Sequence, residues 1–389
     1  MFGRNLKTWK RGLLIGLIPL ALAILSSLIL MIKPPAMGIF ALNLIMILPL
    51  FYLFSFVFLF LAILIGLIIH KSWPIKILVL LIPILIFTSV TIYAYSAEPP
   101  SGEIKTYKGI WSPAFPMTAK MLLFDIEQLK EDGVNTLSFG PNYFTDEEGN
   151  IHSVPFMKQL MILFIQVAHR NGFRVFLVAD MWAPGFAGKI ENKDLFFEQA
   201  TAISLEWAEI AEKYKVEMYA PSNEPAIIID DDQEALDQWT YNIAQKIKEK
   251  YHGLLIYKAS SHGDFDNDYR GYDYVGLDIF PTTDQTLEEF KNELQNHLEN
   301  CLEFAQRDKT KGIILSEIGV QVKVTIKGDI SSTTDKPFSL DYQKQAYEMF
   351  FEEGKDKVIG YIFCCWESEF GPNNLPAEQV MKEWFHKIN

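Results

Sequence analysis

The first 97 residues contain no aspartate or glutamate, and three apolar runs fill most of them. Gly12–Ile32 and Gly38–Ile69 carry no charge, and Ile75–Tyr95 carries only Lys76. A helix needs about 20 apolar residues to cross ~30 Å of hydrocarbon, and each run reaches that length. A cleaved signal peptide fits poorly. The first run is too long, no small-x-small site follows it, and two more runs come next. The middle run exceeds one span, so it tilts or kinks at Pro49. The expectation is an all-α transmembrane region of about three helices over residues 1–97, in contact with a lipid bilayer.

Loop charges orient such a region. Arg4, Lys7, Lys10 and Arg11 precede the first run, Lys33 follows it, Lys71 lies between the last two and Lys76 stands at the start of the third. Positive-inside logic places the N-terminus and the second loop in the cytoplasm, so with three spans the rest of the chain faces outward. The predicted localisation is a multi-pass cell-membrane protein with an extracytoplasmic C-terminal domain.

Beyond that region the charge reverses. The chain has 35 Lys and Arg against 48 Asp and Glu, and seven of the basic residues lie in the first part. The remainder therefore holds 28 against 48, about −20 by formal count. Phosphate backbones would repel it, so no nucleic acid is expected as a partner. Cys301, Cys364 and Cys365 offer no zinc spacing and no disulfide framework, and are read as small buried hydrophobes.

After a proline-stiffened linker at 98–104, short apolar stretches alternate with amphipathic ones over 105–389. The strand candidates are Tyr107–Ser112, Val134–Gly140, Phe173–Asp180, Val216–Pro221, Leu254–Ser260, Tyr274–Phe280, Gly312–Glu317 and Val358–Trp366. Helical stretches follow nearly all of them, such as Met117–Glu131, Lys193–Tyr214 and Leu287–Gln306; only the fifth-to-sixth connection lacks one. Eight strands in β-then-α order predict an α/β fold, a (β/α)₈ TIM barrel. No Gly-rich phosphate motif follows the first strand, which argues against a nucleotide-binding sheet.

In such a barrel the chemistry sits at the C-terminal strand ends. Those ends hold Asn142 and Tyr143 (strand two), Asp180 and Trp182 (three), Asn223 and Glu224 (four), His262 (five), Asp278 (six), Glu317 (seven) and Trp366 (eight). Glu224 and Glu317 are the central pair. A retaining glycosidase places two carboxyls about 5–5.5 Å apart, one as nucleophile and one as general acid and then base. A tryptophan face suits the C–H face of a sugar, and polar neighbours suit its hydroxyls; Trp366 could instead simply plug the barrel end.

Asn-Glu after strand four, Glu after strand seven and Trp after strand eight resemble glycoside hydrolase clan A, the retaining β-glycosidases, with families 113 and 5 nearest. The likeness covers roughly residues 105–389. It implies Glu224 as acid/base, Glu317 as nucleophile, Asn223 as ligand of the sugar 2-hydroxyl and Trp366 as floor of the −1 subsite. Asp180, Trp182, Asn142, Tyr143, Asp278 and His262 complete the expected substrate-binding set. The expected substrate is a β-linked oligo- or polysaccharide of mannan or glucan type, with no cofactor and no metal. Many clan members carry Tyr at the end of strand six and Arg near the end of strand two. This chain has Asp278-Ile279-Phe280 and no Arg at 139–143, so the support of Glu317 has no assigned residue. A non-catalytic carbohydrate-binding or sensing barrel is the alternative.

Three other features have plainer readings. His262 beside Ser260 and Ser261 does not make a triad, since neighbours on one strand end seldom converge. Asp264–Asp268 alternates like a calcium loop, but Tyr269 and Val275 replace the Gly and Glu that an EF-hand requires, and a solvated acidic loop is expected. Asp230–Asp232 caps the helix beginning near Gln233, and the long stretch 321–340 is expected to shape a binding cleft.

Overall fold

The computed structural model describes residues 96–182, 190–229, 232–261, 267–282, 284–322 and 339–388. The three apolar runs, His262 and most of 321–340 lie outside the described residues. Among the described residues no helix is long and apolar enough to cross a membrane.

Eight parallel strands close into a barrel. They are β1 (Tyr107–Ser112), β2 (Thr136–Phe139), β5 (Arg174–Val178), β7 (Met218–Ala220), β8 (Leu254–Ser260), β9 (Tyr274–Ile279), β10 (Ile313–Ile318) and β11 (Val358–Cys364). Neighbours follow chain order, and β11 pairs back onto β1. Each expected strand is present within a few residues of its expected ends. The reason is burial on both faces, which demands continuous apolar runs. Trp111, Phe176, Val178, Met218, Ala220, Ile256, Ile314 and Ile362 pack together in one buried cluster.

The outer layer is α3 (Met157–Arg170), α4 (Lys193–Lys213), α6 (Gln233–Lys248), α7 (Leu287–Asp308), α8 (Leu340–Gly354) and α9 (Pro376–Lys387). Their starts are chemically marked. Asn192 accepts from Leu195 N, Asp232 from Ala235 N and Ser339 from Tyr342 N, while Thr286 and Glu289 form a reciprocal capping box. Asp232 is thus the cap expected from the acidic run. Among the described residues between β8 and β9 there is no helix, also as expected.

Four features depart from the expectations or add to them. Met117–Glu131 is not one helix but α1 (Phe115–Lys120), a π-helical turn (Met121–Asp125) and α2 (Ile126–Glu131). Beyond β2 and β5, short strands β3 (Asn142–Thr145), β4 (Ile151–Ser153) and β6 (Asp180–Trp182) form a second small sheet. The proline-stiffened stretch at 97–104 is also bonded to the barrel. Ala97 N donates to Gln166 Oε1 at 2.8 Å, Glu98 pairs with Lys215, and Arg174 donates to Gly102 O. Finally, Cys364 and Cys365 are joined by a disulfide. Sequence reasoning passed over it because consecutive Cα atoms stand closer than the usual ~4.4–6.8 Å of a bridged pair.

Candidate active site

The site is built around a residue that sequence reasoning passed over. In β8 the buried cluster residue Ile256 is followed two residues later by Lys258 and then by Ser260, and alternation points such residues to one face. Lysine is almost never fully buried without partners, and Lys258 is 1% exposed. Its partners come from two neighbouring strands. Lys258 Nζ donates to Glu317 Oε2 at 2.8 Å and ion-pairs with Asp278 Oδ2 at 3.1 Å. Its ammonium also stands 4.5 Å from the centre of the Trp111 ring, contributed by β1.

A register shift in β10 brings the acid into reach. Pairing of β10 with β9 slips between Leu315 and Glu317, so two consecutive residues turn toward the same neighbours. Ser316 Oγ donates to Asp278 Oδ1 at 2.5 Å while Glu317 takes the lysine. Gly276, one turn of the β9 pleat below Asp278, leaves room for this. A Cβ there would stand 2.4 Å from Ser316 Oγ.

Glu224 precedes the short helix α5 (Pro225–Ile228) in a left-handed conformation, φ 42°. Such backbone is uncommon outside glycine and concentrates at functional positions. Burial pushes its carboxyl up to about 8; the charges of Asp278 and Glu317 add to this, while Lys258 and a hydrogen bond from Ser260 oppose it. Asp278 is raised to about 7 by burial against the pull of Lys258. Asp180 is raised to about 7 by burial and by the charge of Glu317, opposed by Lys258 and the Asn142 amide. Lys258 itself is held above the ordinary lysine range: burial works against its charge, but Asp278, Glu317 and Glu224 outweigh that. One ammonium therefore faces four carboxyls. Full ionisation would leave three uncompensated charges in a poorly solvated space, so protons are retained, with Glu224 the strongest holder.

The other expected residues divide. Asn142 Nδ2 donates to Asp180 Oδ2 at 3.3 Å and to Pro113 O at 2.6 Å, so this pair belongs to the carboxyl cluster. Asn223 is partly buried, and its buried Oδ1 accepts no hydrogen bond among the described residues. Trp366 is 2% exposed and lines a small cavity with Ser112, Met117, Met121, Asp125 and Glu367. That cavity sets it against Met121 and Asp125 of the π-helical turn. Tyr143 is buried away from the carboxyls, its hydroxyl accepting from Trp207 Nε1 at 2.6 Å. Trp182 lies in β6, which pairs with β3; His262 lies outside the described residues. Phe280, at the end of strand six, and Phe370 stand 5.5 Å apart edge to face and pack on the cluster that holds the disulfide. No group of three or more His, Cys, Asp or Glu among the described residues is placed to hold a metal ion.

The family model for Glycoside Hydrolase Family 113 matches residues 186–387, just over half of the chain and the part that holds Glu224, Lys258 and Glu317. The chain belongs to this family. Among solved structures, the family 113 β-mannanase of Alicyclobacillus acidocaldarius is 16% identical, with a TM-score of 0.57 over 74% of this chain and 99% of that one. A β-glucuronidase from an uncultured Clostridium is 15% identical, TM-score 0.53, over 74% of this chain and 51% of that one. An exo-β-1,4-mannosidase from Opitutaceae bacterium strain TAV5 is 11% identical, TM-score 0.53, over 75% and 61%. At these identities the likeness shows a shared barrel. No curated protein matches the chain. A family 113 chain is a glycoside hydrolase, as the paired glutamates led one to expect.

Proposed function

We propose that the protein is a membrane-anchored, retaining glycoside hydrolase that cleaves β-linked glycans of mannan or glucan type. Glu317 attacks the anomeric carbon while protonated Glu224 gives its proton to the leaving glycosidic oxygen. Glu224, now a carboxylate, then takes a proton from the water that releases the sugar with its original anomeric configuration. Asn223 Oδ1 is the acceptor for the sugar 2-hydroxyl. The observation that carries this reading is the contrast between the two glutamates. Glu224 holds a proton up to about pH 8, whereas Glu317 is paired with a buried ammonium. The carboxyl that keeps its proton serves as the acid, and the one held by the ammonium is oriented as the nucleophile.

Mannan is favoured by family membership and by the mannanase fold likeness. The anchor rests on the apolar runs of residues 1–97, with 98–104 as the connection and 105–389 as the catalytic domain. An extracytoplasmic position agrees with the loop charges and with the Cys364–Cys365 disulfide, since disulfides persist in oxidising compartments.

The test uses the full chain in membranes with β-mannan, β-glucan and a 2,4-dinitrophenyl β-mannobioside. Glu224→Gln and Glu317→Gln are each expected to lose about a thousandfold or more in kcat on unactivated substrate. NMR of the first product is expected to show the β anomer. Wild-type rates in either variant, or an α product, would sink the assignment. Protease added to sealed cells is expected to digest the catalytic domain, and full protection overturns its outward placement.

A further inference from the structure

The carboxylate of a nucleophile must present one oxygen to the anomeric carbon and be prevented from turning away. Sequence comparison leaves that task unassigned here, because the strand-six end is Asp278-Ile279-Phe280 and no arginine stands at 139–143. We propose that Lys258, reaching up from inside β8, is the positioning residue for Glu317. This inference rests on Glu317 being the nucleophile, as proposed above.

The geometry is that of a clamp. Glu317 Oε2 receives the ammonium at 2.8 Å, which leaves Oε1 as the attacking atom. The ammonium cannot follow the carboxylate if it swings, because Asp278 Oδ2 holds it at 3.1 Å from the other side and the Trp111 ring lies 4.5 Å away. Asp278 is itself held by Ser316 Oγ at 2.5 Å. Four strands thus converge on one nitrogen, and both Lys258 and Asp278 are 1% exposed. A lysine here costs desolvation that a Met or Leu would avoid. In a barrel otherwise lined by Ile256, Ile314 and Ile362, it is a specific departure from a plain core.

The clamp also connects the two catalytic groups. The charged or titratable groups facing Lys258 are Glu317 and Asp278 in contact, and Glu224 and Asp180 through space. During attack the negative charge of Glu317 passes to the departing oxygen as the C–O bond to the enzyme forms and the glycosidic bond breaks. The proton for that oxygen comes from Glu224. Lys258 stays charged throughout and gives up no proton.

Four full-length proteins test this on 2,4-dinitrophenyl β-mannobioside: wild type, K258M, E317G and K258M/E317G. In wild type the carboxylate attacks. In E317G, saturating azide attacks instead, displacing dinitrophenolate and giving the α-glycosyl azide. K258M is expected to lower kcat about a hundredfold with KM within about threefold, the size of losing one preorganised electrostatic contact. The basic limb of its pH–rate profile on unactivated substrate is expected to move up by about one unit or more, because the cation opposes proton uptake by Glu224. With Glu317 absent there is nothing to position, so azide-rescued rates of E317G and K258M/E317G are expected to agree within about threefold. Equal losses in both backgrounds, or an unmoved basic limb in K258M, overturn the proposal and leave Lys258 a structural pair. Should K258M fail to fold, K258M/D278N removes the ion pair as a unit, and a kcat there within about threefold of wild type overturns it equally. Failure of the underlying reading looks different: E317G would then be active without azide, or would give no azide adduct, whatever residue stands at 258.

Discussion

Glu224 shows how a single residue can cost stability and supply function. Its carboxyl is raised from an ordinary 4.5 to about 8, so the folded chain holds a proton that the unfolded chain releases. The sign follows from linkage. The protonated form contributes fully below about pH 4.5, and that contribution is lost as pH rises through about 8. Asp180 and Asp278, each raised to about 7, act in the same direction. Glu224→Gln is therefore expected to raise the unfolding temperature at pH 8.5 and to leave it nearly unchanged at pH 4, as read by thermal circular dichroism. The wild-type basic limb of kcat/KM is expected near pH 8, where the acid ionises. Flat activity through pH 9.5 would remove Glu224 from the acid role. Neither value was legible in the sequence, because both arise from burial and from neighbours supplied by other strands.

At the scale of the element, local chemistry was easier to read. The acidic run before Gln233 was expected to cap a helix, and Asp232 does so. Thr286 with Glu289 carries the capping pattern at the start of α7. Thr286→Ala is expected to cost about 1 kcal/mol, lowering the unfolding temperature by a few degrees and leaving kcat unchanged, since that helix start touches none of the carboxyls. The π-helical turn and the slip in β10 are elements of another kind. Each inserts a residue whose effect depends on what lies across from it, and composition at 121–125 or 315–317 carries no mark of either. Strand β8 held a readable signal that was missed: a lysine inside a run of Leu, Ile, Tyr and Ala. A lysine buried in such a run requires acidic partners from neighbouring strands.

For the whole molecule, the expected division into membrane region, linker and barrel leads to a concrete expectation about truncation. The segment after residue 96 is tied to the barrel through Gln166, Lys215 and Arg174. A chain beginning at Ser96 is expected to keep kcat on soluble oligosaccharide and to leave the membrane fraction. One beginning at Lys105 loses all three contacts and is expected to unfold several degrees lower. Equal unfolding temperatures would show that this segment contributes nothing to the barrel.

The sequence by itself determined the architecture. Apolar periodicity over eight strands, each followed by an amphipathic stretch, is a local property repeated along the chain. Burial on both faces of a parallel sheet leaves few other ways to satisfy it. It also placed Glu224 and Glu317 at strand ends, because the order of elements dictates which residues reach the mouth. Only the tertiary structure decided how those glutamates differ. The ammonium of Lys258, the carboxyl of Asp278, the ring of Trp111 and the register slip at Glu317 come from four different strands, β8, β9, β1 and β10. Their effect on one another exists only once the barrel has closed and excluded the water that would otherwise screen them.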